Sequence, residues 1–252
     1  MKKLLGLALI AGLAPLGLAV PAHAADATNA GDASSISKLD QRLDLAANTL
    51  DEIESVKLKA VPDWIASKAQ CLAVVPGLIK GAFIVGAEYG QGVATCRTAH
   101  GWSGPVFIRM AGGSWGFQIG GKGTDLVLVA VNKKGMQDLL KSRFEIGAGA
   151  SAAAGPVGGT AQAGTNIALN SELLSYSRSH GLFAGVDLKG VTVSQNTPDT
   201  VELYGGKYHS LTNILDGEAP QPHNKSSEHF LRIVQQYFGQ ARAMHNESTS
   251  AK

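Results

Sequence analysis

CLAVVPGLIKGAFIVGAEYGQGVATCRTAHGWSGPVFIRM, residues 71–110, decides the fold class. CLAVVP, GAFIVGAEYG, GVATCRT and GPVFIRM are short, rich in Val, Ile and Phe, and separated by Gly or Pro, which is the signature of strands and turns. GSWGFQIGG (113–121) continues in the same style, and TDLVLVAVN (124–132) reads as a fully buried strand. Further on, SELLSYSRS (171–179), LFAGVDL (182–188) and VTVSQN (191–196) supply more strands.

Helices flank these strands. Ile36, Leu39, Leu43, Ala46, Leu50 and Ile53 recur at three- and four-residue steps, with Ser34 or Ser35 placed to cap the first turn. The polar face of this helix is net acidic, with Asp40, Asp44, Asp51, Glu52 and Glu54 against Lys38 and Arg42, so it is expected to pack on the core rather than lie on a membrane. Val61-Pro62 opens a short helix through Lys68, and KGMQDLLK (134–141) forms another. A Pro-rich connector, GEAPQPHNKSS (217–227), leads to a C-terminal helix with Phe230, Ile233, Val234, Tyr237 and Phe238 on one side. FEIGAGASAAAGPVGGTAQAGTNIALN (144–170) alternates Gly and Ala, and predicts small-residue strands that permit close approach of a backbone or a ligand.

The fold expected is α+β: a Gly-rich, mainly antiparallel curved sheet or barrel, covered by N-terminal and C-terminal helices. Met1-Lys2-Lys3, an apolar run from Leu4 to Val20 and Pro21-Ala22-His23-Ala24 read as a secretory signal peptide over 1–24. A mobile lead-in over 25–35, a single domain over 36–242 and a flexible tail over 243–252 complete the expected organisation. The protein is thus expected to be exported, to the periplasm or beyond, and to associate peripherally with membrane.

Removing Lys2 and Lys3 with the leader leaves 20 of the 22 basic residues against 20 acidic ones, so the remaining chain is formally neutral. That composition gives no bulk attraction to nucleic acid, and any charge-driven binding has to come from a local patch. Two basic groupings qualify. Lys57, Lys59 and Lys68 surround the Val61-Pro62 turn beside Trp64, an amphipathic ring suited to membrane interfaces. Lys133, Lys134, Lys141 and Arg143 form a second cluster around the middle helix. Cys71 and Cys96, 25 residues apart, are either a disulfide or two buried thiols.

Catalytic and cofactor motifs are poorly supported. Gly116 to Lys122 follows the phosphate-loop pattern GxxxxGK, but Gly123 stands where a Ser or Thr hydroxyl must meet magnesium. There is no CxxC or HExxH, and the histidines lack metal-pair spacing, so no cofactor or metal is expected. Ser175, Ser177 and Ser179 around Arg178 and His180 read as a solvated strand face. Carboxylates that folding could pair are Glu88, Asp125, Glu145, Asp187 and Glu202. SRSHGLFAGVDLKG (177–190) joins a polar turn, an apolar strand and flexible glycines with no catalytic grouping, which argues for shape over chemistry.

Six blocks in order resemble the SYLF family: VPDWIASKAQCLAVVP, IKGAFIVGAEYGQGVATCR, GGSWGFQIGGKGTDLVLVAVN, GAGASAAAGPVGGTAQAG, SYSRSHGLFAGVDLKG and NILDGEAPQP. Known chiefly from eukaryotic membrane-trafficking and actin-patch proteins, the family also occurs in bacterial secreted proteins. The resemblance implies a non-enzymatic domain that binds acidic phospholipids, phosphoinositides being the preference of eukaryotic members, some of which also bind actin filaments. Two departures weaken inositol-phosphate specificity: Gly159 follows GPVG where many relatives carry arginine, and the N-terminal helix is acidic where eukaryotic members are basic. The expected function is phospholipid binding at the cell envelope through Lys57, Lys59, Trp64 and Lys68. Its rivals are an envelope structural or adaptor protein that binds another protein, and a hydrolase depending on His180 or Asp187.

Overall fold

The computed structural model describes residues 29–56, 61–157, 171–179, 182–183, 188–207 and 210–241. The expected leader, part of the Gly/Ala-rich stretch, Lys57, Lys59, Gly158, Gly159, His180 and Asp187 lie outside the described residues.

The strands of 71–130 form one long hairpin. Strand β1 (Cys71–Thr98) pairs antiparallel with β3 (Val106–Ala130) from Cys71↔Ala130 to Ala94↔Val106, with the short β2 (Gly101–Trp102) at the turn. β1 is a single strand rather than three, because Pro76–Gly77 is absorbed as a bulge: the register slips between Val75 and Leu78, and Gly77 takes φ +57°.

Fully extended, the stretch from Cys71 to Cys96 would span about 80 Å. Their Cα atoms are instead 4.0 Å apart and a disulfide joins them. The hairpin is therefore curled back on itself. The sequence permits this because Gly90, Gly92, Ala94 and Cys96 occupy alternate positions of β1 and so share one face. At Gly92 a Cβ atom would fall 2.3 Å from the carbonyl oxygen of Val74, so only glycine lets the two halves of β1 cross this closely.

Each half of β3 recruits its own neighbours. Residues 125–130 pair with β6 (Leu173–Ser179), which also pairs with β5 (Ala152–Ala154) in parallel and with β7 (Leu182–Phe183). Residues 108–112 pair with β8 (Val191–Gln195), which pairs with β4 (Arg143–Glu145). The result is a strongly curled, mostly antiparallel sheet of half-barrel form.

Both faces of this sheet are covered. On one, Leu72, Val74, Phe107, Val127, Val129, Leu174 and Tyr176 pack beneath α1 (Asn29–Glu54) and α6 (Lys225–Val234), the latter ending in a π-helical turn, Gln235–Gly239. On the other, Cys71, Ala73, Val75, Leu126, Leu128, Ala130, Val191 and Val193 join a second core. Burial on both faces explains why TDLVLVAVN is apolar at successive positions instead of alternating.

Leu39, Leu43, Ala46, Leu50 and Ile53 are buried at the spacing expected of α1. The helix already begins at Asn29, so Ser34 and Ser35 lie inside it rather than capping it, and residues 29–35 of the expected lead-in are helical. After α2 (Asp63–Ala66) and α3 (Lys133–Leu140), capped by the Asn132 side chain on the Gly135 N–H, come two helices the sequence reading missed, α4 (Thr197–Leu203) and α5 (Leu211–Leu215). Pro198 in the first turn of α4 and Ser210 capping α5 were the available signals.

Two other expectations are corrected. In the Gly/Ala-rich stretch the strand residues among the described ones are Phe144–Glu145, at the end of β4, and Ala152–Ala154; between them Gly147, at φ +96°, accommodates a turn, with its N–H bonded to the Ala150 carbonyl at 2.7 Å. Ser175, Ser177 and Ser179 are buried, not solvated, because both faces of β6 are covered, and the Ser175 and Ser179 hydroxyls donate to the carbonyls of Ala153 and Gly123.

Candidate functional site

The turn at Pro62 puts Ile65 and Ala66 into the core and leaves Trp64 half-buried and Lys68 exposed. Lys68 Nζ lies 5.5 Å from the centroid of the Trp64 ring, within cation–π range. The Ser67 hydroxyl donates to the Trp64 carbonyl at 3.0 Å and helps fix this turn. Trp64 and Lys68 are thus brought together, while Lys57 and Lys59, four and two residues before Val61, belong to the segment outside the described residues.

Two of the four residues in the second basic grouping are paired with carboxylates. Lys134 pairs with Glu172, and Lys141 with Asp138 at 2.5 Å. Lys133 and Arg143 remain exposed. Beside Lys134 a cavity of about 480 Å³ is lined by residues 147–152 together with Glu172 and Lys189, in the space left by the small side chains of that segment. Glu172 itself clamps the segment to β6: its carboxylate accepts the Ser151 N–H, and its own N–H donates to the Ser151 hydroxyl at 3.1 Å.

A third feature was invisible to the sequence reading. Lys38, Arg42 and Leu45, one face of α1, stand across from Ile79 and Tyr89 of β1, enclosing a groove of about 360 Å³. Ile79 is 58 % exposed, and Leu45 and Tyr89 are each 49 % exposed. Arg42 is engaged from below, in an ion pair with Asp199 at 2.6 Å and over the Phe107 ring at 4.8 Å.

The last residue of α1 is a buried acid. Glu54 accepts the Val61 N–H at 3.4 Å, and burial, reinforced by the charge of Asp63, pushes its carboxyl up to about 8 despite that hydrogen bond. Tyr176 is raised mainly by the same burial and secondarily by Glu54, and its hydroxyl has no hydrogen-bond partner among the described residues. Tyr237 donates to Asp51 at 2.7 Å.

Other candidates dissolve into structure. Gly116, Gly120 and Lys122 sit in the β1–β3 ladder opposite Ile84, Ala82 and Lys80, so the GxxxxGK stretch is sheet and not a loop opening a helix. Glu88 pairs with Lys80 at 2.8 Å, and Asp125 accepts the Gly77 N–H at 2.9 Å and meets Arg178 at 3.3 Å. Among the described residues no three His, Cys, Asp or Glu side chains gather to hold a metal, and no helix is long and apolar enough to cross a membrane.

Residues 111–237 match the family described as "Ysc84: Las17-binding protein actin regulator". The chain is 32 % identical over 166 residues to SH3 domain-containing YSC84-like protein 1 of Xenopus laevis, covering 65 % of this chain and 49 % of the relative. The Homo sapiens protein of the same name is 30 % identical over 166 residues, 65 % of this chain and 48 % of the relative. Protein YSC84 of Saccharomyces cerevisiae is 28 % identical over 197 residues, 76 % of this chain and 41 % of the relative. The chain spans less than half the length of each of these relatives.

Proposed function

Because the chain belongs to the Ysc84, or SYLF, family, we propose that it works by binding rather than catalysis, and that its ligand is an acidic phospholipid surface at the membrane of the cell envelope. The observation that carries this reading is the exposed ammonium of Lys68 held over the half-buried ring of Trp64. An indole with one apolar side and a polar edge suits the headgroup layer, and a cation beside it favours anionic lipid by about 1 kcal/mol. Lys57 and Lys59, close by in sequence, would add to the same charge. In a formally neutral chain such a local patch is what charge-driven binding requires. The leader-like residues 1–24 fit delivery to the outer side of a cytoplasmic membrane.

Flotation with neutral, anionic and phosphoinositide-containing vesicles, at low and high salt, tests this. Binding to anionic vesicles that fades with salt, and that Trp64→Ala with Lys68→Glu weakens about tenfold, supports it. Absence of binding to every vesicle overturns it. A protein partner is the second reading, favoured by the description Las17-binding in the family's name; it expects recovery of a cross-linked partner that does not depend on lipid.

A further inference from the structure

Among the described residues the large exposed apolar side chains are Leu45, Val56, Ile79 and Tyr89, and three of the four rim a single groove. Single exposed apolar residues are ordinary, whereas a cluster with a cationic side marks an interaction face. The groove is built from two elements. Lys38, Arg42 and Leu45 come from one helical face of α1, at i, i+4 and i+7. Ile79 follows the Pro76–Gly77 bulge of β1 closely and Tyr89 lies further along the same strand, and the Tyr89 hydroxyl accepts a hydrogen bond from the Gln91 side-chain amide at 2.8 Å.

The lining contains two cations and no carboxylate. Arg42 is held by Asp199, which leaves Lys38, exposed at the rim, as the outward charge. An apolar rim of Leu, Ile and Tyr with a lysine beside it is complementary to an anionic interface whose interior is apolar. We infer that this groove is the face the protein inserts into an acidic phospholipid bilayer, with Leu45, Ile79 and Tyr89 entering the headgroup–acyl boundary and Lys38 meeting lipid phosphate. The inference rests on the proposed lipid-binding function and assigns its depth of contact to a different surface from α2. It gives the acidic α1 a part in membrane contact through one face only, since Asp44 and Asp51 are turned to α6 and its terminal turn, where they accept hydrogen bonds from Ser226 and Tyr237.

Leu45→Glu with Ile79→Glu tests it on the purified full chain, against phosphatidylcholine vesicles with and without phosphatidylserine. Both positions are exposed, and an unchanged urea midpoint shows that the variant remains folded. The expected result is an apparent affinity for the anionic vesicles at least about tenfold weaker, from losing two inserted side chains. Tyr89→Trp supplies an independent readout, with its added fluorescence quenched by lipids brominated on the acyl chains. Wild type that binds, with a groove variant that binds equally and no quenching at position 89, overturns the inference while leaving the function standing. Wild type that binds no vesicle overturns both. A wild-type dimer that the groove variant dissociates, with vesicle binding unchanged, overturns it in favour of self-association.

Discussion

Replacing Gly92 by alanine puts the closure of the sheet to the test. A Cβ at 92 would lie 2.3 Å from the Val74 carbonyl oxygen, 3.0 Å from its carbon and 2.7 Å from Val75 Cγ2. The first two atoms are backbone and belong to a ladder bonded to β3, so neither a rotamer change nor a local turn relieves the overlap. Gly90 differs: its Cβ would meet side-chain atoms of Val75 and Leu78, at 2.7 and 2.8 Å, which yield more readily than a backbone carbonyl in a ladder. Gly123 meets nothing within 4 Å. The expected order of destabilisation is Gly92→Ala by about 3 kcal/mol or more, Gly90→Ala by about 1 kcal/mol, and Gly123→Ala neutral or stabilised by a few tenths. Urea unfolding followed by tryptophan fluorescence gives the three midpoints, and a shared m-value would show that only stability has changed. Equal midpoints for Gly92→Ala and Gly123→Ala would refute the crossing of the two halves of β1.

Two further predictions concern the two cores on either face of the sheet. Cys71→Ser with Cys96→Ser removes a cross-link closing a 25-residue loop, and should lower stability by about 3 kcal/mol without abolishing the fold; thiol counting of the denatured, unreduced wild type should find both cysteines blocked. The Glu54 carboxyl is raised in the folded state to about 8 from 4.5, so the folded protein retains a proton that the unfolded chain has lost. Its contribution is therefore fully present below pH 4.5 and is lost as pH rises through 8, at up to about 1.4 kcal/mol per pH unit in that window. Glu54→Gln should flatten stability across that window and make the protein more stable than wild type at pH 9, as measured by urea midpoints; a parallel pH profile for the two would sink the assignment.

Strand content, the terminal helices and the family were legible because each is written in local pattern. The spacing of Leu39, Leu43, Ala46, Leu50 and Ile53 can only bury one helical face, and the continuous apolar run at 124–132 can only suit a strand covered twice. Chain curvature was not legible as a magnitude. Pro76–Gly77 reads locally as a strand end, yet long-range pairing with β3 on both sides overrides that signal and keeps one strand. The ion pairing of the basic cluster at 133–143 was not legible either, since sequence shows the lysines but not Glu172 and Asp138 beside two of them. That Trp64 and Lys68 lie side by side was legible because residues four apart along a helical turn are neighbours.

The groove escaped for the opposite reason, since its two walls lie some forty residues apart and neither is unusual alone. Yet its position follows from the closure of the sheet. Side chains alternate along β1, so turning Gly90 and Gly92 inward against Val74, Val75 and Leu78 obliges Tyr89 and Gln91 to face the other way. The bulge at Pro76–Gly77 brings Ile79 to the same rim, where α1 supplies Lys38 and Leu45. The glycines that permit the two halves of β1 to cross thus also fix where an exposed tyrosine and isoleucine stand relative to the helix. A substitution at Gly92 that forces the strands apart should displace Tyr89 from Leu45 as well, so vesicle binding and folding stability should fall together at this position. At Leu45 and Ile79, which support only the rim, binding should fall and stability should not.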